Sequence, residues 1–78
     1  MEIGRLVAMA NDIAAFFDAE AQGAAAVEGV RLHLRKFWEP RMRRAIVEHV
    51  AQGGAGLCLT ARAAVEKLAE VADRPPAS

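Results

Sequence analysis

Along the first eighteen residues, apolar side chains recur every three or four places: Ile3, Leu6, Ala10, Ile13 and Phe17, widened by Val7, Ala14 and Phe16. That spacing puts them on one face of an amphipathic helix over 2–18. Met9 and Phe16 fall seven apart at the edge of the stripe, so the same helix offers a second apolar contact. Residues 19–23 read as a connection, with Gly23 as its breaker. A second helix is predicted over 24–37, with Val27, Val30, Leu34 and Phe37 on its inner side. Gly29 costs that helix about 1 kcal/mol of propensity relative to Ala; equally, it allows a neighbouring helix to come close.

Pro40 biases Glu39 away from helical backbone and suits the first turn of a new helix. The chain should therefore turn near 38–39, and a third helix over 40–52 carries Met42, Ile46 and Val50 inward with His49 beside them. Gly53 and Gly54 are natural C-terminal stops. A loop over 53–59 follows, its far end held by Leu57 and Leu59. Thr60 is expected to cap a last helix reaching 72, with Ala61, Ala64, Val65, Leu68 and Val71 as its stripe. The predicted fold is all-α: a compact bundle of three to four short helices with a Trp-x-Pro corner between helices two and three. Residues 1–73 make one small domain and 74–78 a disordered tail. The expected core is Leu6, Ile13, Phe17, Val30, Leu34, Phe37, Met42, Ile46, Val50, Val65 and Leu68.

Composition agrees with helices. Hydrophobic residues make up 54% of the 78, much of it alanine; Tyr is absent and Thr60 is the only threonine. A chain this short buries only about 60% of its unfolded surface, and its core contributes about 3–5 kcal/mol net, so a partner helps. The single cysteine, Cys58, excludes an internal disulfide and fits a reducing cytoplasm. No basic region precedes an apolar run as in a secretory leader, and no apolar stretch approaches the ~20 residues that span a bilayer.

Charge changes the picture more. The chain sums to zero, yet residues 31–44 hold six bases (Arg31, Arg35, Lys36, Arg41, Arg43, Arg44) against Glu39, a local balance of +5. Residues 1–30 carry −4 and 45–78 carry −1 in compensation. Zero net charge argues against a general polyanion binder, while the local excess suits one acidic partner. Phe37 and Trp38 point about 100° apart on a helix. Both can belong to the core; alternatively one face of Trp38 is left for a partner, where tryptophan often acts as a hot spot. The docking surface is accordingly assigned to Trp38, Arg41, Arg43 and Arg44, with Met9 and Phe16 as weaker members.

Catalytic chemistry finds little support. Acyl transfer needs a nucleophile beside a base, but Ser78 lies in the tail, Thr60 reads as a cap and Cys58 has no neighbouring base in sequence. His33, His49 and Cys58 lack the paired spacing of a zinc site, and GGAG at 53–56 lacks the lysine of a phosphate loop. No catalytic, cofactor-binding or metal-binding residue is assigned. The competing class is a small helix-turn-helix-like DNA-binding regulator with 40–52 as recognition helix. Against it, the bases flank the corner instead of lining one helix, Glu48 follows closely, and base-reading Asn and Gln are nearly absent there.

Three stretches carry a family resemblance: MANDIAAFF (9–17), HLRKFWEPRMR (33–43) and VEHVAQGGAGL (47–57). In this order they resemble the small delta subunit of cytoplasmic, NAD-dependent, molybdenum-containing formate dehydrogenases. The similarity covers most of 5–68, and its most specific part is the Phe-Trp-x-Pro-x-Met-Arg element. The family often has a proline soon after GGxGL, where this chain has Cys58-Leu59-Thr60. The resemblance implies an accessory subunit without a redox centre. It implies as partner the large catalytic subunit, whose complex holds bis-molybdopterin guanine dinucleotide molybdenum, iron–sulfur clusters, FMN and NAD. Support for assembly, cofactor loading or stability is the implied role, in the cytoplasm, with neither nucleic acid nor membrane as partner. Self-association of the isolated chain is left open.

Overall fold

The computed structural model describes residues 2–73, with side chains described through residue 70. The four apolar stripes form four helices: α1 Ile3–Glu20, α2 Ala24–Phe37, α3 Pro40–Ala51 and α4 Leu59–Asp73. No strand occurs among the described residues. The expected tail at 74–78 lies outside them.

Burial follows the i, i+3, i+4 rule on α1, α2 and α4, while α3 fully buries Ile46 alone. Leu6, Ala10 and Ala14 of α1 form one core cluster with Val30 and Leu34 of α2, Ile46 of α3, and Ala61, Ala64, Val65 and Leu68 of α4. Both α1 and α4 pack on all three other helices, most extensively on α2. Alanine at the crossings lets the helix axes approach, and Leu34, Ile46, Val30 and Val65 fill the remaining volume. Ile13, Phe17, Met42 and Val50, expected in the core, are half-buried against it.

Gly29 marks the closest approach of α1 and α2. A Cβ there would stand 2.5 Å from Phe17 Cδ1, well inside van der Waals contact. The missing side chain is what leaves room for the Phe17 ring against α2.

The connection between α2 and α3 is two residues, Trp38 and Glu39, both in extended backbone (φ −86°, ψ 141° and φ −67°, ψ 152°). Pro40 occupies the first turn of α3, where its missing N–H is harmless. Here one expectation is corrected. Phe37 is 71% exposed and Trp38 only 5% exposed, so Trp38, not Phe37, completes the core. The buried line along α2 steps in fours through Ala26, Val30, Leu34 and Trp38. The indole therefore continues the inner stripe although the helix has ended.

The start of α4 corrects a second. Helix α4 begins at Leu59, and the Cys58 carbonyl accepts from the Arg62 N–H at 2.9 Å. Thr60 lies inside the first turn, and its hydroxyl donates to Asp18 Oδ1 at 2.9 Å, tying α4 to α1.

Candidate functional site

Two clusters of side chains gather the residues that the sequence singles out. The first is a clamp on the loop 52–58. Gly53, Gly54 and Gly56 all have positive φ (120°, 67° and 87°), which side-chain-bearing residues adopt only with strain. The loop folds back so that the Gly54 N–H reaches the His49 carbonyl at 2.9 Å and the Leu57 N–H reaches Gly54 O at 3.1 Å. Asn11, on α1, grips it from outside. Its Nδ2 donates to Gly56 O and its Oδ1 accepts from the Cys58 N–H, both at 2.9 Å. His49 Nε2 stands 2.8 Å from Ala55 O, a contact that requires the proton on that nitrogen. The stretches 9–17 and 47–57 therefore meet in space through Asn11, and the side chains of Asn11 and His49 hold the loop.

The second cluster lies on the far side of α1, where it faces α2. Ring contacts run in a row: Phe16 against Phe17 (centroids 5.2 Å apart), Phe17 against His33 (6.3 Å) and His33 against Phe37 (4.8 Å). Antiparallel packing of α1 on α2, with Gly29 under Phe17, sets this row. Phe16 is 61% exposed, so both ends of the row, Phe16 and Phe37, stand in solvent. Between α1 and α2 lies an open groove of about 370 Å³, lined by Asp12, Ile13, Phe16, Phe17 and His33 and almost wholly apolar; Phe37 meets it only through the His33 ring.

The bases around the corner divide by role. Arg31 bonds Glu28 one turn back, at 2.7 Å. This hydrogen bond holds the Glu28 carboxyl below its usual range, opposed by slight desolvation and aided by the Arg31 charge, and it raises Arg31 in turn. The depressed carboxyl stabilises the fold above its unfolded titration range, and that contribution is lost as pH falls through the folded value. Arg43 is half-buried: its Nη1 donates to the carbonyls of Arg35 (3.2 Å) and Trp38, capping the C-terminus of α2. Arg35, Lys36, Arg41 and Arg44 are exposed. Among the described residues, none of these four has a carboxylate within salt-bridge distance.

The residues expected at the docking surface are thus separated. Arg41 and Arg44 stand in solvent; Met9, 36% exposed, and Phe16 are exposed on α1, Phe16 at the edge of the α1–α2 groove. Trp38 does not leave a face for a partner, because the turn directs the indole inward. Arg43 is engaged by the end of α2. The exposed aromatic beside the arginines is Phe37. Sequence reasoning missed Phe37 as a surface residue; its i, i+4 spacing from His33, beside Lys36, was the available signal.

Cys58 is exposed and its thiol is free; the two histidines face Ala55 and the phenylalanine row instead. No group of three or more His, Cys, Asp or Glu is placed to hold a metal ion among the described residues. Likewise, no described helix is long and apolar enough to cross a membrane.

With this geometry in view, residues 5–65 match the family model for the NADH-dependent formate dehydrogenase delta subunit, FdsD. The chain belongs to the FdsD family. The match begins in the first turn of α1 and ends in α4, so the FdsD region takes in the loop clamp, the aromatic row and the corner between α2 and α3. No curated protein and no solved structure matches the chain.

Proposed function

We infer that this FdsD-family chain is a non-catalytic accessory subunit of a cytoplasmic NAD-dependent formate dehydrogenase. It docks on the large molybdenum-containing catalytic subunit and supports assembly, cofactor loading or stability there. The molybdenum cofactor, iron–sulfur clusters, FMN and NAD site belong to the partner subunits under this reading. The observation that carries it is the family match over 5–65.

Physical features of the bundle support it. An aromatic row exposed at both ends, and four exposed bases without carboxylate partners among the described residues, stand on a chain of zero net charge. A small core of alanines and a few larger residues leaves the free chain marginal, and binding adds what the core lacks. A ligand that binds only the folded, loaded state stabilises it by about 2.7 kcal/mol at a hundredfold excess over Kd. That suffices to bias a large subunit toward its loaded form.

Purified chain and purified catalytic subunit are expected to co-elute as one complex in size-exclusion chromatography. Separate elution at micromolar concentrations, together with a salt-dependent shift of duplex DNA, would replace this reading with the DNA-binding one.

A further inference from the structure

We propose that the aromatic row Phe16–Phe17–His33–Phe37 is the seat of a protein partner's segment, one that places a large apolar side chain in the α1–α2 groove and carboxylates over the corner. This deepens the accessory-subunit reading and rests on it: the segment belongs to the catalytic subunit.

The row is the first observation. Phe16 and Phe37 are 61% and 71% exposed, although the rings between them are packed edge to face and anchored on Gly29. Exposed aromatics are ordinarily scattered singly; here three joined rings line an apolar groove and a fourth, Phe37, packs on His33, a contiguous patch that marks an interaction surface. A groove of about 370 Å³ lies at the small end of the range for enclosed ligand sites. Being open along its length, it takes one or two side chains of a larger partner. It also has the form that hot spots favour: a rigid apolar floor with aromatic walls.

Charge identifies the occupant. Lys36 follows His33 by three residues and precedes Phe37, so it stands at the same end of the row. Arg35 is its neighbour, and Arg41 and Arg44 stand just across the Trp38–Glu39 turn. Arg31 and Arg43 are already engaged by Glu28 and by the end of α2. Lys36, Arg41 and Arg44, without carboxylate partners among the described residues, thus gather about the corner at the Phe37 end of the row, while Arg35 stands about 200° round α2 from His33. Their complement is an apolar anchor followed by acidic side chains. Nucleic acid fits less well, since Asp12 lines the groove beside the rings on which bases would stack.

The test uses the full-length chain and the purified catalytic subunit, with binding measured by titration at two salt concentrations. Three variants are compared with wild type: Phe16→Ala with Phe37→Ala; Arg41→Glu with Arg44→Glu; and, as a control away from the groove, Arg5→Glu with Lys67→Glu. Circular-dichroism melts should match wild type for all three, because every altered side chain is exposed. The aromatic pair is expected to weaken binding at least about 30-fold at both salt concentrations. The arginine pair should weaken it about tenfold at low salt and less at high salt. The control should bind as wild type does. Wild-type affinity in both test variants overturns this surface while leaving the accessory reading intact. A wild-type chain that fails to bind overturns both. Dimerisation of the chain abolished by the aromatic pair, or duplex binding abolished by the arginine pair, without effect on the subunit, also overturns the proposal.

Discussion

Replacing Trp38 by Ala is expected to destabilise the domain by about 3–5 kcal/mol, while Phe37→Ala one position earlier leaves the melt close to wild type. Trp38 is 5% exposed and closes the core below Leu34; Phe37 touches the His33 ring from outside. The indole fills more volume than neighbouring alanines can collapse into, so truncation leaves a cavity at the end of α2. A domain of this size holds only about 3–5 kcal/mol from its core, and the Trp38 variant should be largely unfolded at room temperature. Far-ultraviolet circular dichroism during thermal melting reads both variants. Fluorescence adds a second check, since Trp38 is the only tryptophan: folded wild type should resist an aqueous quencher, and unfolding should abolish that protection. A normal melt for Trp38→Ala with a collapsed one for Phe37→Ala would restore the arrangement that periodicity alone favours.

The second large effect is expected at Asn11. Its side-chain amide uses both ends on one loop, donating to Gly56 O and accepting from the Cys58 N–H. Ala at this position removes two hydrogen bonds at about 0.5–1.5 kcal/mol each. It also frees a loop whose three positive-φ glycines are costly to order. The expected loss is about 1–3 kcal/mol, with hydrogen exchange accelerating at Gly56–Cys58 before the rest of the chain. Asp at position 11 should rescue only in part, because a carboxylate accepts from Cys58 but cannot donate to Gly56. Unchanged exchange in the Ala variant would mean that His49 and the glycines hold the loop unaided.

These two positions also show where the sequence is informative. The helices were legible because each stripe is long enough to set its own phase. Even the close approach at Gly29 followed from one missing side chain in an otherwise continuous pattern. Phe37 and Trp38 were not separable that way: they lie three and four residues beyond Leu34, so both fit a helical stripe. What decides is the point at which the backbone becomes extended, and that depends on Pro40 and on Arg43 reaching back to the Arg35 and Trp38 carbonyls. Contacts such as Asn11 to Gly56 and Thr60 to Asp18 span more than forty residues, and no local pattern announces them. The basic cluster was visible as composition, but composition could not divide it. Only the fold shows Arg31 and Arg43 engaged, with Arg35, Lys36, Arg41 and Arg44 left to solvent.

The proposed role makes the chain a binder that stabilises a loaded partner without touching substrate. Turnover per bound molybdenum, for enzyme assembled with and without this chain, tests that most directly. Omission should lower molybdenum content or shorten the lifetime of activity, while the ratio of turnover to bound metal stays near that of the complete enzyme. A large fall in that ratio at full metal loading would contradict the account and place this chain in the catalytic step.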